Sequence, residues 1–327
     1  MKPLQNYSLL LGFVCFGVLS CTNNTNKTFP TAQSFSSLQT AALNSVTQTF
    51  TMTAENGLAT FTSTNGVIIK LNGVGLRKNG IPVTGLVDVK YSELFNAGKM
   101  VTVDKATVGM YPNGTMALII SGGEFFIEAT QDGVPLTTVN PIQLEIPTSL
   151  TGGTNTAMTL WTGQETTAST TMLGWYPTSP AAGIYGVNIN GGPGQNIAYY
   201  NATLPGFGWS NVDCFYSDAR PKTQIFATVP AGYNGMNSAM YLHYNGQGSS
   251  LLKFGTFSVA NQQFSVDSEQ VPIGLDCNII FVTEDNGQWR YAIKPVIISS
   301  AGIYNFSLGE TILGNQAQLE AAINALP

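Results

Sequence analysis

The chain reads as an all-β protein: two antiparallel β-sandwich-like domains with a short C-terminal helix. Three observations carry that reading. Asn-Gly dipeptides recur along the whole length, at Asn56, Asn65, Asn72, Asn79, Asn113, Asn190, Asn234, Asn245 and Asn286, with Asp132-Gly133 of the same kind. Asn and Gly tolerate the positive φ of tight hairpin turns, whose twist matches antiparallel strands. Between these turns lie short runs of period-2 alternation, the mark of strands with one face buried. Helical periodicity is confined to the two ends of the chain.

Taken in order, the first element is not part of the fold. Lys2 precedes an uncharged apolar run, Leu9 to Leu19, that ends in Val18-Leu-Ser-Cys21. The run is about half the ~20 residues that a membrane-spanning helix needs, so it reads as the hydrophobic region of a signal peptide, residues 1–20. The Leu-Ser-Cys ending resembles a bacterial lipoprotein cleavage box, which makes Cys21 the lipid-carrying first residue of the mature chain. An ordinary secretory signal cut near Ser20 is the competing reading. The polar stretch Thr22 to Lys27 has little to bury and suits a solvated tether. Residues 21–49 are therefore read as a lipidated polar tether. Within it, Phe35, Leu38, Ala42 and Val46 keep a loose helical spacing, consistent with a helix or with a solvated stalk.

Residues 50–148 form the first predicted β domain. Val87, Val89 and Tyr91 share one face of a strand, Ile142, Leu144 and Ile146 share another, and Met116 to Ile120 is a continuous apolar run suited to a strand covered on both sides. Residues 149–208 read as a linker followed by an irregular β segment, carrying Trp161, Trp175 and Gly191-Gly-Pro-Gly194. Residues 209–327 form the second β domain, with Trp289, Tyr291 and Ile293 on one strand face. Leu319, Ile323 and Leu326 then mark the terminal helix.

Composition narrows the function classes. Charged residues are only 9% of the 327 residues, against a typical ~25%. The net charge of -5 and the lack of a basic patch exclude a nucleic-acid partner, which needs phosphate neutralisation. The predicted partners are the membrane, through the N-terminal lipid, and an envelope protein or glycan. No cofactor motif is present: the glycine run at 191–194 lacks the Gly-Lys-Ser/Thr of a phosphate loop.

Candidate chemistry is sparse. Removal of the signal leaves Cys214 and Cys277 in the folded part. In an oxidising compartment they are candidates for a disulfide, with two buried free thiols as the alternative. No Cys-x-x-Cys or Cys/His cluster suggests zinc. The one histidine, His243, would have to serve any Ser-His-Asp triad, and no Gly-x-Ser-x-Gly elbow precedes it. A structural or surface role fits it better. Glu124 and Glu128 fall on one strand face roughly 13 Å apart, beyond the ~5–9.5 Å of a glycosidase pair. Glu284-Asp-Asn-Gly287 lacks the spacing of a calcium loop and reads as a hairpin turn. Trp161, Trp175, Trp209 and Trp289 are either core residues, the reading preferred for a sandwich, or a stacking platform for sugars.

Several tracts carry a resemblance. Asn79-Gly-Ile-Pro-Val-Thr-Gly-Leu-Val-Asp-Val89, with Glu93 and Met100 after it, resembles a strand-turn-strand unit of uncharacterised Gram-negative envelope lipoproteins. Ser121-Gly-Gly-Glu-Phe-Phe-Ile-Glu-Ala-Thr130, Met158 to Gly163 and Gly208 to Tyr216 resemble later landmarks of the same family. The first half is distantly similar to a ZU5-type β-sandwich. Val212 stands where the family has a cysteine, and Cys214 lies two places on, so no role of that cysteine carries over. The resemblance implies β architecture and attachment to the cell envelope, in particular the outer membrane, and it implies no activity. The resulting expectation is a non-enzymatic structural or interaction module, with a glycan-binding or glycan-cleaving lipoprotein as the alternative.

Overall fold

The computed structural model describes residues 29–111, 113–166, 172–178, 186–190, 198–266 and 270–327. The signal peptide, Cys21, the polar stretch 22–27 and the glycine run 191–194 lie outside the described residues.

Three of the Asn/Asp-Gly pairs make two-residue hairpins. Asn79-Gly80, Asp132-Gly133 and Asn286-Gly287 have positive φ at both positions and join strands whose flanking residues pair directly: Lys78 with Ile81, Gln131 with Val134, Asp285 with Gln288. Asn and Asp adopt this conformation more readily than most residues that carry a Cβ, and Gly adopts it without steric penalty.

The chain is all-β, and its strands build two sandwich-like units. In the first, one sheet runs in the order Gln48–Thr53, Leu86–Leu94, Met116–Gln131, Gly208–Phe215, Thr159–Thr166, Met172–Pro177 and Val108–Met110. Val108–Met110 also pairs back onto Met116–Gln131. Five of these strands thereby close into a small barrel, which removes their free edges. The facing sheet is built from Gly186–Asn190, Tyr199–Leu204, Ile142–Pro147, Ile68–Asn72 and Leu58–Thr62. The alternation anticipated for 86–91 and 142–146 is present: Val87, Val89 and Tyr91 meet Ile69, Leu144 and Tyr200 in one buried cluster.

The second unit packs the sheet of Leu251–Lys253, Ser238–Tyr244, Asp276–Asp285, Gln288–Ile297 and Ile312–Gly314 against a smaller sheet of Thr256–Ser258, Gln263–Ser265, Phe226–Thr228 and Ile303–Asn305. Phe281 anchors that contact, edge-on to Tyr233 at 5.6 Å between ring centroids. The other face of the larger sheet is covered by helices. This double cover explains why Ile279 to Val282 is apolar without alternation.

Three helices provide the cover: α1 (Ala32–Val46), α2 (Ala97–Val103) and α3 (Gln316–Asn324). A capping box between Thr31 and Ser34 starts α1. Its Phe35 packs edge-on to Trp289 at 6.0 Å. The tether anticipated for 21–49 is therefore corrected: 32–46 is a docked helix, because Phe35 and Ala42 have an apolar surface to bury against. α3 is the expected terminal helix and buries Leu319 and Ile323. It lies so close to α2 that a Cβ on Gly98 would stand 2.6 Å from the Glu320 carbonyl oxygen.

The anticipated domain limits also need correction. The segment 149–208 is not a linker: Thr159–Thr166 and Met172–Pro177 belong to the barrel, and Tyr199–Leu204 pairs with Ile142–Pro147. Gly208–Phe215, expected to open the second domain, lies in the middle of the first sheet. Val212 and Cys214 on it are buried in the first core.

Candidate functional site

The tryptophans lie in the interior. Trp161 and Trp175 are 1% and 0% exposed, and each uses its indole N–H internally, on the carbonyls of Asp213 (2.8 Å) and Ala106 (2.9 Å). Trp289 is buried under α1. Trp209 is half-buried: Phe126 tilts on it at 5.2 Å, Trp175 meets it at 6.4 Å, and the Lys105 ammonium stands 5.6 Å from its ring. These rings make no open platform. Barrel closure encloses Trp161 and Trp175, α1 covers Trp289 and only Trp209 keeps partial exposure, so the four do not form the anticipated stacking platform.

Cys214 and Cys277 are both buried and free. They do not pair, because their strands enter different sheets and their side chains enter different cores. Cys214 receives a weak contact from Asn155 Nδ2 at 3.5 Å. Burial pushes the Cys277 thiol up to about 12.

The carboxylates separate in the same way. Glu128 reaches Lys90 at 3.7 Å on the surface. Glu124 is fully buried and pairs across the strands with Asn211. Both Glu124 carboxyl oxygens and Asn211 Oδ1 are buried without a hydrogen-bond partner among the described residues. Asn211 Nδ2 donates instead to Asp213 Oδ2 at 2.6 Å, and the Gly122 N–H donates to Asp213 Oδ1 at 3.3 Å. Burial raises Glu124 well above the usual carboxyl range, and the neighbouring Asp213 adds to the effect while Lys105 opposes it. Burial also raises Asp213. This is an enclosed acid pair in which burial disfavours the charged forms. The Glu284–Gly287 turn uses its carboxylates locally: Glu284 accepts from the Gly287 N–H at 2.6 Å and Asp285 pairs with Arg290. Among the described residues no group of three His, Cys, Asp or Glu is placed to hold a metal.

Among the open features of the described residues is a groove of about 540 Å³ where the first unit, the second unit and α3 meet. One side is the strand end and α2 cap at Phe95 and Asn96. The Asn96 side chain caps the helix by accepting from the Lys99 N–H at 3.0 Å. Ile120 and Ser121 come from the barrel strand, and Leu150 to Gly152 from the turn after Ile142–Pro147. The second unit contributes the turn Gly246–Ser249, α3 contributes Asn324, and Leu326 and Pro327 follow from the chain end beyond it. His243 is the one ionisable side chain in the lining. Its Nε2 lies 3.2 Å from the Gly248 carbonyl, to which it donates in the neutral tautomer that this contact implies, and its Nδ1 is buried without a partner. Burial lowers its pKa, so the imidazole is neutral at physiological pH.

No residue of this lining except His243 was singled out in the sequence as a candidate. Asn96 also caps α2, and the Asn155 side chain accepts from the Ala157 N–H. Comparison with protein-family models and with curated proteins finds no match for the chain.

Proposed function

We propose that the protein is a non-enzymatic binding module, lipid-anchored through Cys21 in the bacterial cell envelope, most simply at the outer membrane. The observation that carries the binding part of this reading is the groove. It is the size of a small-molecule site, yet its lining holds no Asp, Glu, Lys or Arg side chain. Its lone histidine contacts a backbone carbonyl through one nitrogen and has no carboxylate or hydroxyl partner for the other. General acid–base or triad chemistry needs such a partner within hydrogen-bond reach. The anchoring part rests on the Leu-Ser-Cys21 ending and the polar stretch behind it. No helix among the described residues is long and apolar enough to cross a membrane.

The test has two arms. Replacing Cys21→Ser should move the protein from the membrane fraction to the soluble fraction. The full chain, incubated with polysaccharides and model esters, should return them uncleaved. A C21S variant that stays in the membrane after correct processing refutes the anchor, and reproducible product formation refutes the non-enzymatic role.

A further inference from the structure

We propose that the groove between the two β units binds an uncharged carbohydrate, with its polar wall hydrogen-bonding the hydroxyls and Phe95 and Leu326 covering an apolar sugar face. The inference rests on the binding-module reading and names its ligand class.

The first argument is charge. Apart from a neutral His243, the lining offers no ionisable side chain to pair with a charged ligand. A carboxylate or phosphate entering it would lose hydration without a countercharge, and would meet the carboxyl group of Pro327, the last residue, in the same lining. A neutral ligand fits where an anion does not.

The second argument is hydrogen-bonding capacity. Asn324 Oδ1 is held by the Gly98 N–H at 2.9 Å, as Asn96 Oδ1 is held by that of Lys99. Those bonds fix both amide planes and leave both Nδ2 groups as donors without a partner among the described residues. The side chains of Gln247 and Ser249, on the opposite turn, have none there either. An acyl chain seated here would cover these groups unpaired, at a cost for each. A polyhydroxylated ligand satisfies them.

The third argument is the apolar wall. Phe95 is half-buried and held edge-on to Phe125 at 5.6 Å. Gly123 (φ +117°) brings the strand backbone against it so closely that a Cβ there would stand 2.6 Å from the Phe95 ring. A rigidly held aromatic edge facing fixed amides suits the two-sided polarity of a sugar ring, and pre-organisation lowers the entropic cost of binding.

The test uses the full chain in detergent, with maltotriose, cellotriose and N,N′,N″-triacetylchitotriose as neutral probes and trigalacturonate as the anionic counterpart. Binding is read by calorimetry. Two variants accompany the wild type: Ser249→Trp, which fills the groove, and Gln247→Ala, which removes one polar group from an exposed turn. Unchanged thermal midpoints establish that both fold. The expected result is binding of at least one neutral trisaccharide, about tenfold or more weaker binding of trigalacturonate, loss in S249W and weakening in Q247A. The proposal is overturned if no neutral probe binds, if trigalacturonate binds as tightly, or if S249W binds like wild type. It is also overturned if a fluorescent fatty acid occupies the groove in preference to the sugars. Each of these outcomes leaves the tethered-module reading standing, whereas cleavage of a probe would overturn that reading itself.

Discussion

Replacing Glu124→Gln should stabilise the protein, and the gain should grow with pH. Glu124 is enclosed in the barrel with neither oxygen in a hydrogen bond of good geometry, and burial, with Asp213 nearby, opposes its ionisation more strongly than Lys105 and the Trp175 side chain favour it. Its folded pKa is therefore raised, while in the unfolded chain the carboxyl titrates near ~4.3. Below that value both states hold the proton and the group contributes no pH dependence. Above it, up to the folded pKa, the unfolded chain releases the proton and the folded chain keeps it, so stability falls as pH rises. The slope is about 1.4 kcal/mol per pH unit. Glutamine has nearly the same shape, does not titrate, and places an amide donor across from the unpartnered Asn211 Oδ1. The difference between E124Q and wild type cancels all other titrating groups except Asp213, which is coupled to this one. Urea unfolding of both proteins from pH 4 to pH 8 measures it. The two should be closest in stability at pH 4 and should separate by up to about 1.4 kcal/mol for each unit above, or about 3–6 °C in melting midpoint for units of this size. A variant less stable than wild type at pH 8, or a gap that narrows as pH rises, would refute the reasoning.

Two more outcomes follow from burial. Unfolded mature chain purified from an oxidising compartment should titrate both Cys214 and Cys277 as free thiols, and native chain at pH 8 should react slowly, since burial raises both thiols; absence of thiols in the unfolded chain would mean a bridge. Phe35→Ala should cost about 3–5 kcal/mol in urea unfolding, because its ring packs on Trp289, whereas a solvated stalk at that position would show no change.

Much of the local structure was legible in the residues. The alternation at Val87, Val89 and Tyr91 appears as buried positions, and Asn286-Gly287 is the turn it resembles. The same dipeptide misleads where packing decides. Gly73 has no positive φ and serves close approach instead, since a Cβ on it would stand 2.3 Å from the Ala54 carbonyl oxygen. The helical spacing of Phe35, Leu38, Ala42 and Val46 was readable, but not that a surface awaited it. Domain limits failed for a topological reason. Gly208–Phe215 inserts between Met116–Gln131 and Thr159–Thr166, and local pattern carries no record of which distant strand is a neighbour. The fates of Cys214, Trp161 and Trp175 follow from that one placement and from barrel closure by the three-residue strand Val108–Met110. The groove was illegible for a related reason: Asn96, Gln247 and Asn324 sit in caps and turns far apart in sequence and form no motif.

The most direct test of a groove-bearing binding module is an amide-resolved NMR titration of the full chain with the neutral trisaccharide that binds most tightly. The account predicts that shifts concentrate at Phe95, Asn96, Gly246 to Ser249 and Asn324, with the sugar recovered intact. Shifts centred instead on Trp209 and Phe126, or recovery of a cleaved sugar, would contradict it.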